Sequence, residues 1–152
     1  MSHVHSGGCL CGEVRFTVTG RPLQVMVCHC SMCQRATGSA FSFEPVFFKE
    51  RVEVQGQSLA TYSHRSLEHG RMLHFSFCRT CGNRVGLAPE RFPTVQILYG
   101  GTFDDPSWLV PGSHIFTASA LPWLVLPSDV QCFRQHMFND DGTAVPPSAS
   151  SA

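Results

Sequence analysis

Apolar and polar residues alternate with period two along Glu13-Val14-Arg15-Phe16-Thr17-Val18-Thr19, until Gly20-Arg21-Pro22 breaks the run. Side chains of a strand point to opposite faces in turn, so this stretch predicts a half-buried strand. Ser39-Ala40-Phe41-Ser42-Phe43-Glu44 alternates again. Pro45 is expected to interrupt it before Val46-Phe47-Phe48, and Arg51-Val52-Glu53-Val54 resumes the pattern. Leu23 to Val27 is a short apolar run that leads into Cys28. Leu59 to Tyr62, Met72 to Phe77, Val95 to Tyr99 and Trp123 to Leu126 read as further strands, the second of them delivering Cys78. Short strands separated by Gly and Pro predict a mainly β, β-rich domain. Ser31 to Thr37 can form about one turn of helix, and no segment shows the periodicity of a long amphipathic one.

Length and charge narrow the picture. A chain of 152 residues suits one domain with its own core, expected here over residues 1–138. The Ser/Pro/Ala-rich stretch Asn139 to Ala152 is expected to be a disordered tail. Eleven basic residues balance eleven acidic ones, with no basic stripe for nucleic acid and no polybasic segment for a membrane surface. No apolar run approaches the roughly 18 residues of a spanning helix. The opening Met1 to Gly8 lacks a basic segment followed by an apolar stretch, so no secretory signal is expected.

The cysteines carry the chemistry. Seven of the eight fall in three clusters: Cys9-Leu-Cys11, Cys28-His-Cys30-Ser-Met-Cys33 and Cys78-Arg-Thr-Cys81. Adjacent C-x-C and C-x-x-C pairs are awkward as structural disulfides and natural as metal ligands, and without an export signal a reducing cytoplasm is the expected setting. Thiolates at such spacing can share one Zn²⁺ at Zn–S distances of about 2.3 Å. Seven ligands divide into four plus three: one closed structural site and one that keeps a position open. Cys78-Arg-Thr-Cys81-Gly82 is a knuckle turn whose remaining ligands come from Cys9 and Cys11 or from the middle cluster. The hairpin pair Cys9-Leu-Cys11-Gly12 is its natural partner. Cys28, Cys30 and Cys33 then form a local three-thiolate set, with a histidine such as His74 or His114 as the alternative fourth ligand of a second structural site. In an extended Cys28-His29-Cys30 the histidine faces away from the thiolates, which makes His29 a hydrogen-bonded neighbour rather than a ligand. Three thiolates leave zinc formally at −1, a weak Lewis acid that still captures a soft thiol. Such a site suits a thiolate attacking a small electrophile better than it suits peptide hydrolysis.

Gly7-Gly8-Cys9-Leu10-Cys11-Gly12-Glu13-Val14-Arg15-Phe16, Cys28 through Ser39 and Phe77-Cys78-Arg79-Thr80-Cys81-Gly82 together resemble the glutathione-dependent formaldehyde-activating family, also called the CENP-V/GFA domain. Gly100 to Pro106, Pro111 to Ile115 and Pro122-Trp123 support the resemblance, which covers about residues 5–125. It implies a β-rich, Mss4-like fold with two zinc ions. Cys9, Cys11, Cys78 and Cys81 would hold the structural ion, and Cys28, Cys30 and Cys33 the catalytic one. It also implies an S-(hydroxymethyl)glutathione synthase type of activity, a carbon–sulfur lyase by class, joining glutathione to formaldehyde. The small-molecule partners are thus a thiol and an aldehyde, with no nucleic acid and no membrane. The alternative reading is a non-catalytic zinc-binding interaction module or a glutathione carrier.

Other residues have plainer roles. Arg35 is the candidate partner for a glutathione carboxylate, with Arg65, Arg71 and Lys49 behind it. His114 is a candidate site-lining residue, Asp104-Asp105-Pro106 a turn, Trp123 a core residue and Cys132 a free buried thiol.

Overall fold

A computed structural model describes residues 3–67 and 69–148. The elements run β1 (Val4–Gly8), β2 (Arg15–Thr19), β3 (Gln24–Cys28), α1 (Ser31–Thr37), β4 (Ser42–Phe48), β5 (Val52–Gln55), β6 (Leu59–Arg65), β7 (Met72–Cys78), β8 (Arg84–Pro89), β9 (Val95–Leu98), β10 (Ser113–Ile115) and β11 (Gln131–Cys132). The chain is mainly β, as the alternation predicts. Among the described residues no helix is long and apolar enough to cross a membrane. The chain divides into two compact units, Met1–Gln24 with Pro45–Leu109, and Val25–Glu44 with Val110–Ala152.

In the first unit β2 pairs antiparallel with β1 on one side and β5 on the other. The expected alternation is realised: Phe16 and Val18 are buried and Thr17 between them is exposed. Phe16 packs edge-on against Phe103 at 4.9 Å between ring centres. A second antiparallel ladder runs from Val46–Phe48 of β4 through β9, β8 and β7 to β6. Between β7 and β8 the register slips at Ser76/Phe77, so that Phe77 opposes Arg84 and Ser76 opposes Gly86. The extra residue is Val85, so the bulge bends β8, opposite the end of β7 that carries Cys78. Pro45 does not end its strand, contrary to the sequence expectation. Pairing with β9 starts at Val46, so the missing N–H of Pro45 falls outside that ladder.

In the second unit β10 pairs parallel with β3 on one side and β11 on the other. Val25, Met26, Val27 and Cys28 are all buried. A strand in a parallel ladder is covered on both faces, which is why Leu23 to Val27 shows no alternation. Helix α1 follows at once and ends at Gly38, whose N–H reaches the Gln34 carbonyl. Its span matches the predicted Ser31 to Thr37. Trp123 to Leu126 forms no strand, and Leu124 N–H closes a turn onto the Leu121 carbonyl. Trp123 is 69 % exposed, so the expected core tryptophan is corrected to a surface one. Prolines at 122 and 127 deny this segment ladder donors at both ends. In the stretch expected to be a tail, Val145 N–H bonds to the Met137 carbonyl and Ser148 N–H to that of Cys132. Residues 149–152 lie outside the described ones.

Candidate metal centres

Two turns built alike present the outer four cysteines. Gly12 N–H bonds to the Cys9 carbonyl at 3.1 Å, and Gly82 N–H to the Cys78 carbonyl at 2.8 Å. Both glycines have positive φ, 83° and 74°, a backbone state that glycine adopts without steric cost. The Val14 N–H reaches the Cys9 sulfur at 3.2 Å, and that of Cys9 the Val14 carbonyl at 2.9 Å. Glu13 ties the two turns together, accepting hydrogen bonds from Ser58 and Thr80 hydroxyls. The four sulfurs lie within 4.8 Å of one another. Cys9 and Cys11 sulfurs are 3.6 Å apart, Cys11 and Cys78 sulfurs 3.7 Å. Sulfurs at the corners of a tetrahedron around an ion about 2.3 Å away stand about 3.8 Å apart, so the arrangement fits a tetrahedral thiolate site. The Cys81 thiol is pulled down to about 6, first by the Asn83 N–H and then by that of Cys11.

The inner three cysteines come from one short segment. Cys28 ends β3, Cys30 caps α1 and Cys33 sits in its first turn. The cap is made by sulfur: the Cys33 N–H points at the Cys30 sulfur at 3.2 Å. Cys28 and Cys33 are buried and Cys30 is half-buried, and the three sulfurs lie within 4.8 Å of one another. Hydrogen bonds from Cys28 and then Cys33 pull the Cys30 thiol down to about 3. The same bonds act the other way on their donors. Cys28 is raised well above the ordinary thiol by its bond to Cys30, and Cys33 by its bonds to Cys28 and Cys30. Metal ligands must be deprotonated, so a metal entering the cluster would displace thiol protons. All eight cysteines are free, so the disulfide alternative has no support.

The sequence reading missed the acid beside this cluster. Glu44 on β4 is 3 % exposed. It accepts a hydrogen bond from the Ser42 hydroxyl and another from the Cys33 thiol at 3.6 Å. Burial, above all, raises its carboxyl to about 7. The residue stood at the end of an alternating run that read as strand and nothing more.

His29 takes no part in the sulfur group. It is buried, and its Nε2 lies 2.8 Å from Nδ1 of His114 with the rings stacked. Burial and then His114 push His29 down to about 4, and burial lowers His114. The structure thus brings His114 to His29 and not into either sulfur group. His29 Nδ1 has no hydrogen-bond partner among the described residues. Arg35 is exposed in the last turn of α1. Lys49, Arg65 and Arg71 belong to the first unit, where Arg65 donates to the Gly70 carbonyl at 2.6 Å. His74 bonds to the Ser63 hydroxyl at 2.8 Å. Asp105 makes the expected turn, accepting from the Ser107 N–H, while Asp104 pairs with Arg15 at 2.9 Å. Cys132 is half-buried and stands opposite His114 in the β10–β11 ladder.

A sequence model of the family described as glutathione-dependent formaldehyde-activating enzyme matches residues 4–119. Among solved structures, a crystal structure of a Rhodobacter sphaeroides protein is similar, with a TM-score of 0.52 and 21 % sequence identity. The alignment covers 65 % of this chain and 87 % of that one, and at this identity the likeness speaks for the fold alone.

Proposed function

This chain belongs to the glutathione-dependent formaldehyde-activating family, and on that premise we propose that it is a zinc-dependent carbon–sulfur lyase of the S-(hydroxymethyl)glutathione synthase type. The observation that carries the reading is the local set Cys28, Cys30 and Cys33, three sulfurs within 4.8 Å and short of a fourth thiolate. Cys9, Cys11, Cys78 and Cys81 would hold a structural zinc, and the inner three a catalytic one. When bound there, zinc would supply the positive charge that keeps a fourth, soft ligand such as the glutathione thiol deprotonated.

The chain's own residues do the rest. Burial of Cys28 and Cys33 keeps bulk water from two of the three sulfurs. Arg35, exposed on the helix that carries Cys33, would pair with a glutathione carboxylate. In the reaction the S–H bond of glutathione and the carbonyl π bond of formaldehyde break. A C–S bond and an O–H bond form, and no oxidant or reductant is consumed. Holding the thiolate and the aldehyde together removes the entropy cost of their encounter. The free cysteines suit a reducing compartment, and we place the protein in the cytoplasm.

The test is a calorimetric titration of glutathione into zinc-loaded protein, with Cys30→Ser as control. Wild type should bind and release protons, because the captured thiol ionises, and Cys30→Ser should not. Binding should be matched by formation of S-hydroxymethylglutathione faster than the spontaneous reaction. A wild type with neither binding nor excess rate sinks the synthase reading.

A further inference from the structure

Two peptide planes lie between Cys28 and Cys30, and each is held by a bond from outside that stretch. The His29 N–H donates to the Ile115 carbonyl of β10 at 3.0 Å, which holds the Cys28–His29 plane. The His29 carbonyl, on the His29–Cys30 plane, accepts from the Gln34 side chain at 2.8 Å. The same Gln34 nitrogen donates to the Ser119 carbonyl at 2.9 Å. Both neighbours are carbonyl oxygens, so the atom between them has to be the NH₂ nitrogen, and both of its hydrogens are used. All of these residues belong to the second unit. The turn that carries Ser119 begins at Phe116, whose φ of 55° is disfavoured for an aromatic residue. Such a turn persists only where its surroundings hold it. Here the Phe116 N–H bonds to the Gln135 carbonyl and the Thr117 N–H to that of Phe133, both at 3.0 Å, and Gln34 supplies the third hold.

We propose that Gln34 is a positioning residue for the inner cluster: its amide ties the His29–Cys30 peptide to the Thr117–Ser119 turn and so sets the direction in which Cys30 presents its sulfur. The proposal rests on the reading of Cys28, Cys30 and Cys33 as metal ligands. The two bonds run to backbone carbonyls, so they are made whether the thiols carry protons or a metal. A peptide plane that loses its hydrogen bond is free to rotate, and Cys30 turns with it. Loss of a partner that orients a metal ligand costs about 10–100-fold in metal affinity. The tether acts in both directions. An ion that fixes Cys28 to Cys33 also fixes Gln34 next to them, and through it the turn at Ser119.

In the experiment Co²⁺ is titrated into the full chain against a chelator of known affinity. The absorption bands of the bound ion are read together with amide hydrogen exchange over residues 117–120. Wild type is compared with Gln34→Met, which keeps the length and helix propensity but has no N–H. It is also compared with Gln34→Lys, which has donors and no acceptor. The four-cysteine site is the internal control, and a Cys30→Ser protein gives its band alone. Gln34→Met should weaken the inner site about 10–100-fold and change its band, with the outer site as in wild type. Gln34→Lys should return the band to that of wild type; the band decides for this variant because the lysine charge by itself would tighten binding. Metal at the inner site should slow exchange of the Ser119 and Ala120 amides in wild type and not in Gln34→Met. Gln34→Ala takes the place of Gln34→Met if methionine is not tolerated. Unchanged inner-site affinity in the folded variant overturns the proposal. So does a Gln34→Lys band like that of Gln34→Met, or turn amides that answer to metal equally with and without the Gln34 amide. A wild type that loads the outer site alone overturns the reading of the inner cysteines, a result distinct from these.

Discussion

Single atoms carry two duties at the inner cluster. The Cys30 sulfur belongs to the three-thiolate set and also accepts the Cys33 N–H as the cap of α1. Serine can keep the second duty and alanine neither. In the metal-free state Cys30→Ala should therefore be less stable than Cys30→Ser by about 0.5–2 kcal/mol, the usual worth of an N-cap. Denaturant unfolding of the two variants measures this, and equal midpoints would mean that the sulfur does not cap. His114 sets a pH dependence. Burial holds it below the ordinary 6.5, so the folded chain resists protonation where the unfolded chain accepts it. The unfolded state binds more protons there, so stability is full above pH 6.5 and declines as pH falls below it. His114→Gln keeps a hydrogen-bond partner for His29 and removes the titrating ring. Its stability should decline less steeply over that window, and because both proteins have the same cysteines, metal release cancels in the comparison. Parallel declines would count against His114. At this scale the sequence makes neighbours of the cysteines within each cluster by spacing, whereas the joining of Cys9 and Cys11 to Cys78 and Cys81 came with the family resemblance, and Cys132, expected buried, stands half-buried. The sequence did not announce Glu44 or the His29–His114 pair, since those contacts join residues far apart in the chain or side chains whose burial no local pattern shows.

At the level of elements, the legible strands were those that carry an alternating or a short continuous apolar run. β2 showed itself by alternation, and α1 by its position between cysteines and glycine. β8 and β10 were missed. In β8 Val85, Gly86 and Leu87 are all buried, which erases the period, and β10 is only three residues long. Trp123 was misplaced because an aromatic between apolar neighbours reads as core, while the flanking prolines keep its segment out of any ladder. β1 was overlooked because its glycines lack strand propensity. Gly7 is there for space: a Cβ would stand 2.3 Å from both the Phe16 ring and the Thr102 carbonyl oxygen. Gly7→Ala should therefore destabilise the chain by about 1–3 kcal/mol, as overpacking does, through a forced shift of β1. Because Cys9 follows two residues later, the same variant should release the outer metal more readily to a chelator. A thermal midpoint and metal-release rate equal to wild type would contradict the close approach.

For the molecule as a whole, the division of seven thiols into four and three predicts its metal content. Purified protein should hold about two Zn²⁺ per chain, and a chelator should take the inner one first, since a closed site exchanges more slowly than an open one. Cys78→Ser should cost the outer ion and much of the stability, whereas Cys30→Ser should lose the inner ion and keep the fold. Metal analysis with circular dichroism on both variants checks this, and the opposite pattern would exchange the two assignments. The parallel pairing of β3 with β10 has a further consequence, one of timing. Cys28 finds its ladder neighbour in Ile115, on a strand translated long after the cysteines. At about 5–20 residues per second, the three inner thiols leave the ribosome roughly 4–16 s before the strand that completes their shelter. The cluster thus passes its first seconds with those sulfurs uncovered, when a stray aldehyde or oxidant can reach them.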